Sequence, residues 1–122
     1  MVLQAFSEQL RVHRIASDVA ADVVKQVRSF PYLERHAIGD QLIRAAIAVS
    51  SNIAEGSGRG TTSEFRRFLA YAQGSVRELG SLLRIARTSG LGERTTMSSL
   101  ESRTALVGKM IARLHDHPPP QR

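Results

Sequence analysis

Glycines and arginines are the residues of this 122-residue chain with the most evident chemical potential. Gly56-Ser57-Gly58-Arg59-Gly60 stands just before a helix start, where backbone N–H groups and the helix dipole favour an anion. The run lacks the Gly-Lys-Ser/Thr of a P-loop, and no strand pattern precedes it. A helix–helix connection that uses positive φ accounts for the glycines more simply, with Arg59 adding anion affinity. A metal pair inside a helical bundle needs Glu-x-x-His on facing helices. No Glu or Asp here is followed three residues later by His. His13, His36, His115 and His117 lie outside the apolar stripes and read as surface histidines. The chain has no Cys, which excludes disulfides, thiolate metal sites and thiol nucleophiles. The Gly-x-Ser-x-Gly nucleophile elbow is absent. The expectation is therefore no enzyme, no metal and no cofactor.

Charge is the next clue. The net +6 comes from 15 Arg and two Lys against 11 acids, and the ten basic and five acidic residues after Gly60 carry +5 of it. Arg66, Arg77 and Arg84 fall within about 20° of one another on a helical wheel, with Arg87 nearby. Such a ridge suits phosphates, while a solvated Arg face is the plainer reading. No aromatic residue is interleaved with these arginines, so single-strand stacking is not indicated. The candidate nucleic-acid contacts are Arg59, Arg66, Arg77, Arg84 and Arg87.

A second polar feature is the line Gln41, Arg44, Asn52 and Glu55, with Ala48 between. Glu78 on the following, antiparallel helix could come within a turn of Gln41 or Arg44. The expectation is a polar network that fixes helix register, with a recognition site as the functional reading.

Four helical segments must position these groups. Val12, Ile15, Val19, Val23 and Val27 stripe a helix from Ser7 to Arg28, ended by Ser29-Phe30-Pro31. Ile38, Leu42, Ala45, Val49 and Ile53, with a second stripe of Ile43, Ile47 and Ala54, mark a helix from Leu33 to Glu55 that Gly56 ends as a left-handed C′ residue. Thr61-Thr62-Ser63-Glu64 is a capping box, and Phe65, Leu69, Ala72, Val76, Leu79, Leu83 and Ala86 then run to a stop at Gly90. Met97, Leu100, Val107, Ile111 and Leu114 stripe the last helix, Arg94 to Leu114. The prediction is all-α: one antiparallel up-down-up-down four-helix bundle over residues 1–115, with a flexible tail at 116–122.

On the third helix Phe68, Tyr71, Leu82 and Ile85 widen the apolar arc to roughly 200°, twice what one core face needs. A wide core is one explanation. A second contact surface, hence a homo-oligomer, is the other, with Phe68, Tyr71, Leu82, Ile85, Ile43 and Ile47 as its interface. No run approaches the ~20 apolar residues of a membrane span, and the first residues lack a signal-peptide pattern, so a soluble, cytosolic protein is expected.

Gln41-Leu42-Ile43-Arg44-Ala45-Ala46, Asn52-Ile53-Ala54-Glu55-Gly56-Ser57-Gly58-Arg59, then Glu64-Phe65, Phe68-Leu69, Ala72, Gly74-Ser75 and Glu78-Leu79 resemble the "four helix bundle protein" family. That family includes proteins encoded in intervening sequences of 23S rRNA genes and accessory proteins of diversity-generating retroelements. The match is close over about residues 30 to 91, and pattern-like in the outer helices. Ile43 replaces a frequent Arg of the family and Ala48 a frequent Ser. The resemblance implies a four-helix protomer, a ring-like homopentamer and no enzymatic activity. For the retroelement branch it implies binding to a reverse transcriptase and to nucleic acid through a basic surface. The function expected is a non-enzymatic, homo-oligomeric nucleic-acid-binding accessory protein; the alternative is a protein-interaction scaffold whose positive charge is incidental.

Overall fold

A computed structural model describes residues 2–120, with side chains from Ala5 onward. Among the described residues there are four helices and no strand. Helix α1 is Val2–Val27. Helix α2 spans 32–57: one turn at Tyr32–Glu34, a π-helical segment at Arg35–Gly39, and an α-helix at Asp40–Ser57. Helix α3 is Thr62–Thr88 and helix α4 is Arg94–Asp116. Each packs on its neighbours in the chain, and α1 closes against α4. This is the up-down-up-down bundle expected from the four stripes.

The core is built from those stripes. All seven heptad residues of α3 from Phe65 to Ala86 are buried, as are Val12, Val19, Val23 and Val27 of α1. Met97, Leu100, Val107, Ile111 and Leu114 of α4 are buried too, and each such large side chain contributes about 1.5–3 kcal/mol. Valine is a poor helix former alone, so α1 is held by this packing. The α1–α4 seam adds polar ties: Arg103 to Asp22 at 2.8 Å, Arg113 to Glu8 at 3.4 Å, and the Glu93 backbone N–H to Gln26 Oε1 at 2.7 Å.

The helix ends follow local chemistry with two corrections. Thr61 Oγ1 accepts the Glu64 N–H at 3.1 Å, but the Glu64 carboxylate turns to Arg67 at 2.8 Å instead of closing the box. At the end of α3, Gly90 has φ +81°, and the Leu91 N–H reaches Ala86 O while the Gly90 N–H reaches Arg87 O. These are the two bonds of a Schellman end. Gly56 does not end α2. It lies inside the helix, and the connection to α3 uses no positive φ, because the only positive-φ glycines among the described residues are Gly90 and Gly92. Gly56 is needed for close packing: a Cβ there would stand 3.0 Å from Phe68 Cβ and 3.4 Å from Phe65 O.

Helix α4 continues to Asp116, and Pro118 and Pro119 are half-buried. Pro119 and Pro120 line a small cleft with Phe6, Gln9 and Phe65 at the α2–α3 end. Residues 121 and 122 of the expected flexible segment lie outside the described residues.

Candidate functional site

The bundle presents four lateral faces, and the cross-helix contacts fix which residues lie on each. On α3, Arg66, Gln73 and Arg87 all reach α4: Arg66 Nε donates to His115 O at 2.9 Å, Gln73 Nε2 to Gly108 O at 3.0 Å, and Arg87 pairs with Glu101. Arg77 and Arg84 share that flank by helical spacing. The α3/α4 face is thus the one that carries the arginine ridge.

The structure separates the five candidate arginines by their partners. Arg77 and Arg84 are exposed, and neither makes an ion pair or hydrogen bond among the described residues. Arg66 is exposed and uses one donor on the carboxyl end of α4, a favourable place for a cation. Arg87 is committed to Glu101, which holds its guanidinium above its ordinary pKa through hydrogen bonding and then charge, against desolvation. Arg59 is paired with Glu55 at 2.5 Å and lies over the Phe68 ring, 4.8 Å from its centre. Arg67, which the sequence pattern does not single out, places its guanidinium 5.1 Å from the same ring and pairs it with Glu64. Its adjacency to Phe68 was the available signal, but i,i+1 neighbours point apart on a helix, so Arg59 and Phe68 had to be located first.

The ridge of Arg66, Arg77 and Arg84 runs about 27 Å along α3 at 1.5 Å per residue. Beside it lies an open groove of about 280 Å³ lined by Leu69, Ala70, Gln73, Arg77, Ile111, Ala112, His115 and Asp116. A chain of cations along a groove can neutralise successive phosphates; with no acidic partner on Arg77 or Arg84, no intramolecular pair has to break first.

The expected register-fixing polar network does not form within the protomer. Asn52 Nδ2 donates to Ala48 O of its own helix at 2.9 Å, and Glu55 turns to Arg59. Gln41, Arg44 and Glu78 are exposed and make no side-chain hydrogen bond among the described residues. These groups line the outer α2/α3 face and, Asn52 apart, are exposed, so none of them is buried without a partner. Register is set instead by the glycine contact at Gly56 and by the α1/α2 hydroxyl pair Ser17–Ser50 at 2.8 Å, with His13 Nε2 3.5 Å from Ser50 Oγ. His13 is accordingly half-buried, not a surface histidine.

The proposed interface residues divide in two ways. Ile43 and Leu82 pack against the core, and Phe68 is half-buried under Arg59 and Arg67 with Tyr71 edge-on at 5.6 Å. Ile47, Tyr71 and Ile85 remain 50%, 51% and 50% exposed. Tyr71 and Ile85 flank α2 on the α2/α3 face, whereas Ile47 lies on the α1 side of α2 with Leu10, which is also exposed. Among the described residues no helix is long and apolar enough to cross a membrane, and no three metal-ligating side chains gather.

Comparison with known proteins bears on the same fold. A sequence model described as 23S rRNA-intervening sequence protein matches residues 8–113. No curated protein matches the chain. A solved structure from Bacteroides thetaiotaomicron, a protein with unknown function from the S23 ribosomal protein family, is similar with a TM-score of 0.78 at 15% identity. The likeness covers 89% of this chain and 98% of that one, and at this identity it speaks to the fold.

Proposed function

This chain belongs to the 23S rRNA-intervening sequence protein family, and on that premise we propose that it is a non-catalytic homo-oligomer that binds nucleic acid through its α3/α4 face. The observation that carries the reading is the alignment of Arg66, Arg77 and Arg84 beside a groove, with Arg77 and Arg84 free of acidic partners among the described residues. Binding of this kind is dominated by phosphates and carries little sequence preference. Titration of labelled RNA and DNA at two salt concentrations tests it. Binding that weakens with salt supports the reading; no binding at low salt, or binding indifferent to salt, ends it.

The oligomer rests on exposed apolar side chains on two faces. Tyr71 and Ile85 lie on one, about 21 Å apart along α3, and Ile47 and Leu10 lie on the adjacent one. An isologous dimer needs one self-complementary patch, while a ring needs two different ones. Adjacent faces of a four-helix bundle point about 90° apart; a head-to-tail turn of about 90° closes after four copies, and one eased to about 72° closes after five. A pentamer fits, and the +6 of each chain would bring it to about +30. The test is mixing. Ile47→Glu and Tyr71→Glu should each give monomers by light scattering, and their equimolar mixture a dimer, since each retains the face the other lacks. A wild-type mass of one protomer at micromolar concentration would refute the oligomer.

A second reading is favoured by Tyr32 and Leu33, exposed by 73% and 74% at the bundle end. Two large apolar side chains there suit a protein partner, such as the reverse transcriptase that the resemblance to the retroelement branch implies. Co-purification of one protein from the native host, without a nucleic-acid shift, would select this scaffold role. We assign the protein to the cytosol under both readings.

A further inference from the structure

We propose that the groove between α3 and α4 receives a single unpaired nucleobase, so that this protein engages single-stranded nucleic acid and not duplex. The inference rests on the nucleic-acid reading of the same face and adds to it the kind of strand bound. The groove encloses about 280 Å³ between Arg77 on one wall and His115 with Asp116 on the other. The groove is open to solvent, and its small wall residues Ala70 and Ala112 leave room for a flat ring to enter edge-first. A base paired and stacked in a duplex cannot enter it without first being flipped out.

The lining suits a base. Leu69 and Ile111, both buried, form an apolar floor, and the exposed Ala70 and Ala112 keep the walls low. The polar groups at the mouth are complementary to base edges. Arg77 is an unpartnered donor fork, and the Asp116 carboxylate, 71% exposed, accepts N–H groups. The arginine run itself has no interleaved aromatic, but His115, brought to it from α4, supplies one ring in the lining that can stack on a base or meet its edge. Its backbone carbonyl is already occupied by Arg66 Nε, which holds that guanidinium beside the groove. Arg66 and Arg77 are about 16 Å apart along α3, one on either side of the groove's midpoint. Phosphates flanking the inserted base would therefore meet a cation on each side.

The test separates base from phosphate. Labelled single-stranded RNA, the same RNA as a duplex, and inorganic polyphosphate are titrated at low salt against wild type, Ala112→Leu, Ala70→Leu and Arg77→Gln. Ala70 and Ala112 are exposed, and retained helicity and melting confirm that the leucine variants fold. The expected result is tighter wild-type binding of single strand than of duplex. Either leucine should weaken single-strand binding about tenfold and leave polyphosphate within about twofold, while Arg77→Gln weakens both. If the leucine variants bind single strand like wild type, or lose polyphosphate equally, the groove holds no base and only the phosphate surface survives. If wild type binds none of the three probes, the nucleic-acid reading fails and this inference with it.

Discussion

Arg87 on α3 is ion-paired with Glu101 on α4, both side chains about two-thirds buried or more, whereas Arg77 three turns earlier has no partner among the described residues. One ridge of arginines therefore contains two kinds of residue. Arg87→Gln should lower the melting temperature measurably and leave RNA affinity within about twofold, because its charge is already neutralised. Arg77→Gln should do the reverse. Thermal melts and titrations on the two variants check this together.

Two glycines should respond with opposite signs. A Cβ on Gly39 would stand 2.7 Å from Val27 Cγ1 and 3.3 Å from Glu34 O, at the π-helical segment where α2 passes the end of α1. Val27 is buried and stiff at χ1, so it cannot turn aside. Gly39→Ala should destabilise by about 1–3 kcal/mol. Gly74 is exposed mid-helix with nothing within 4 Å of an added Cβ, so Gly74→Ala should stabilise by about 0.5–1 kcal/mol. Urea unfolding of both variants against wild type measures the pair.

Thr104 is 3% exposed and its Oγ1 has no hydrogen-bond partner among the described residues. It borders a void of about 10 Å³ among Ala16, Val19, Ala46, Val49, Val76, Leu79 and Val107, near the lower limit for one water. Replacing the hydroxyl by a methyl group keeps the shape and removes an unpaired polar atom. Thr104→Val should raise stability by about 1 kcal/mol in the same unfolding assay.

The Glu93 carboxyl is held below its ordinary pKa of 4.5, first by the Thr96 hydroxyl and then by the backbone N–H groups of Thr95 and Thr96 at the start of α4. A depressed carboxyl favours the folded state wherever the unfolded group is ionised. That contribution is present above about pH 4.5 and fades as pH falls through the lower folded value. Glu93→Gln should therefore cost stability at pH 7 and narrow to no difference in acid, as denaturation across pH would show.

The stripes make the bundle legible in the sequence, because helical period and burial are both local consequences of spacing. The α3 heptad and the α4 stripe are buried residue for residue. What stayed hidden depends on contacts between helices. Glu101 lies 14 residues from Arg87, so nothing local separated a paired arginine from free Arg77 and Arg84. Gly56 imitated a helix stop because close approach of Phe68 and a left-handed end both call for glycine. The α3 arc contained both proposed answers: Leu82 belongs to a wide core, and Tyr71 and Ile85 to an outer surface.

The most direct test of the central claim is the salt dependence of RNA binding by wild type and by the Arg77→Gln/Arg84→Gln double variant. The variant should keep wild-type melting, lose at least tenfold in affinity at low salt, and show a shallower dependence of log K on log salt, by about one to two per protomer engaged. Equal affinity and equal slope for the two proteins would contradict a nucleic-acid interface on the α3/α4 face.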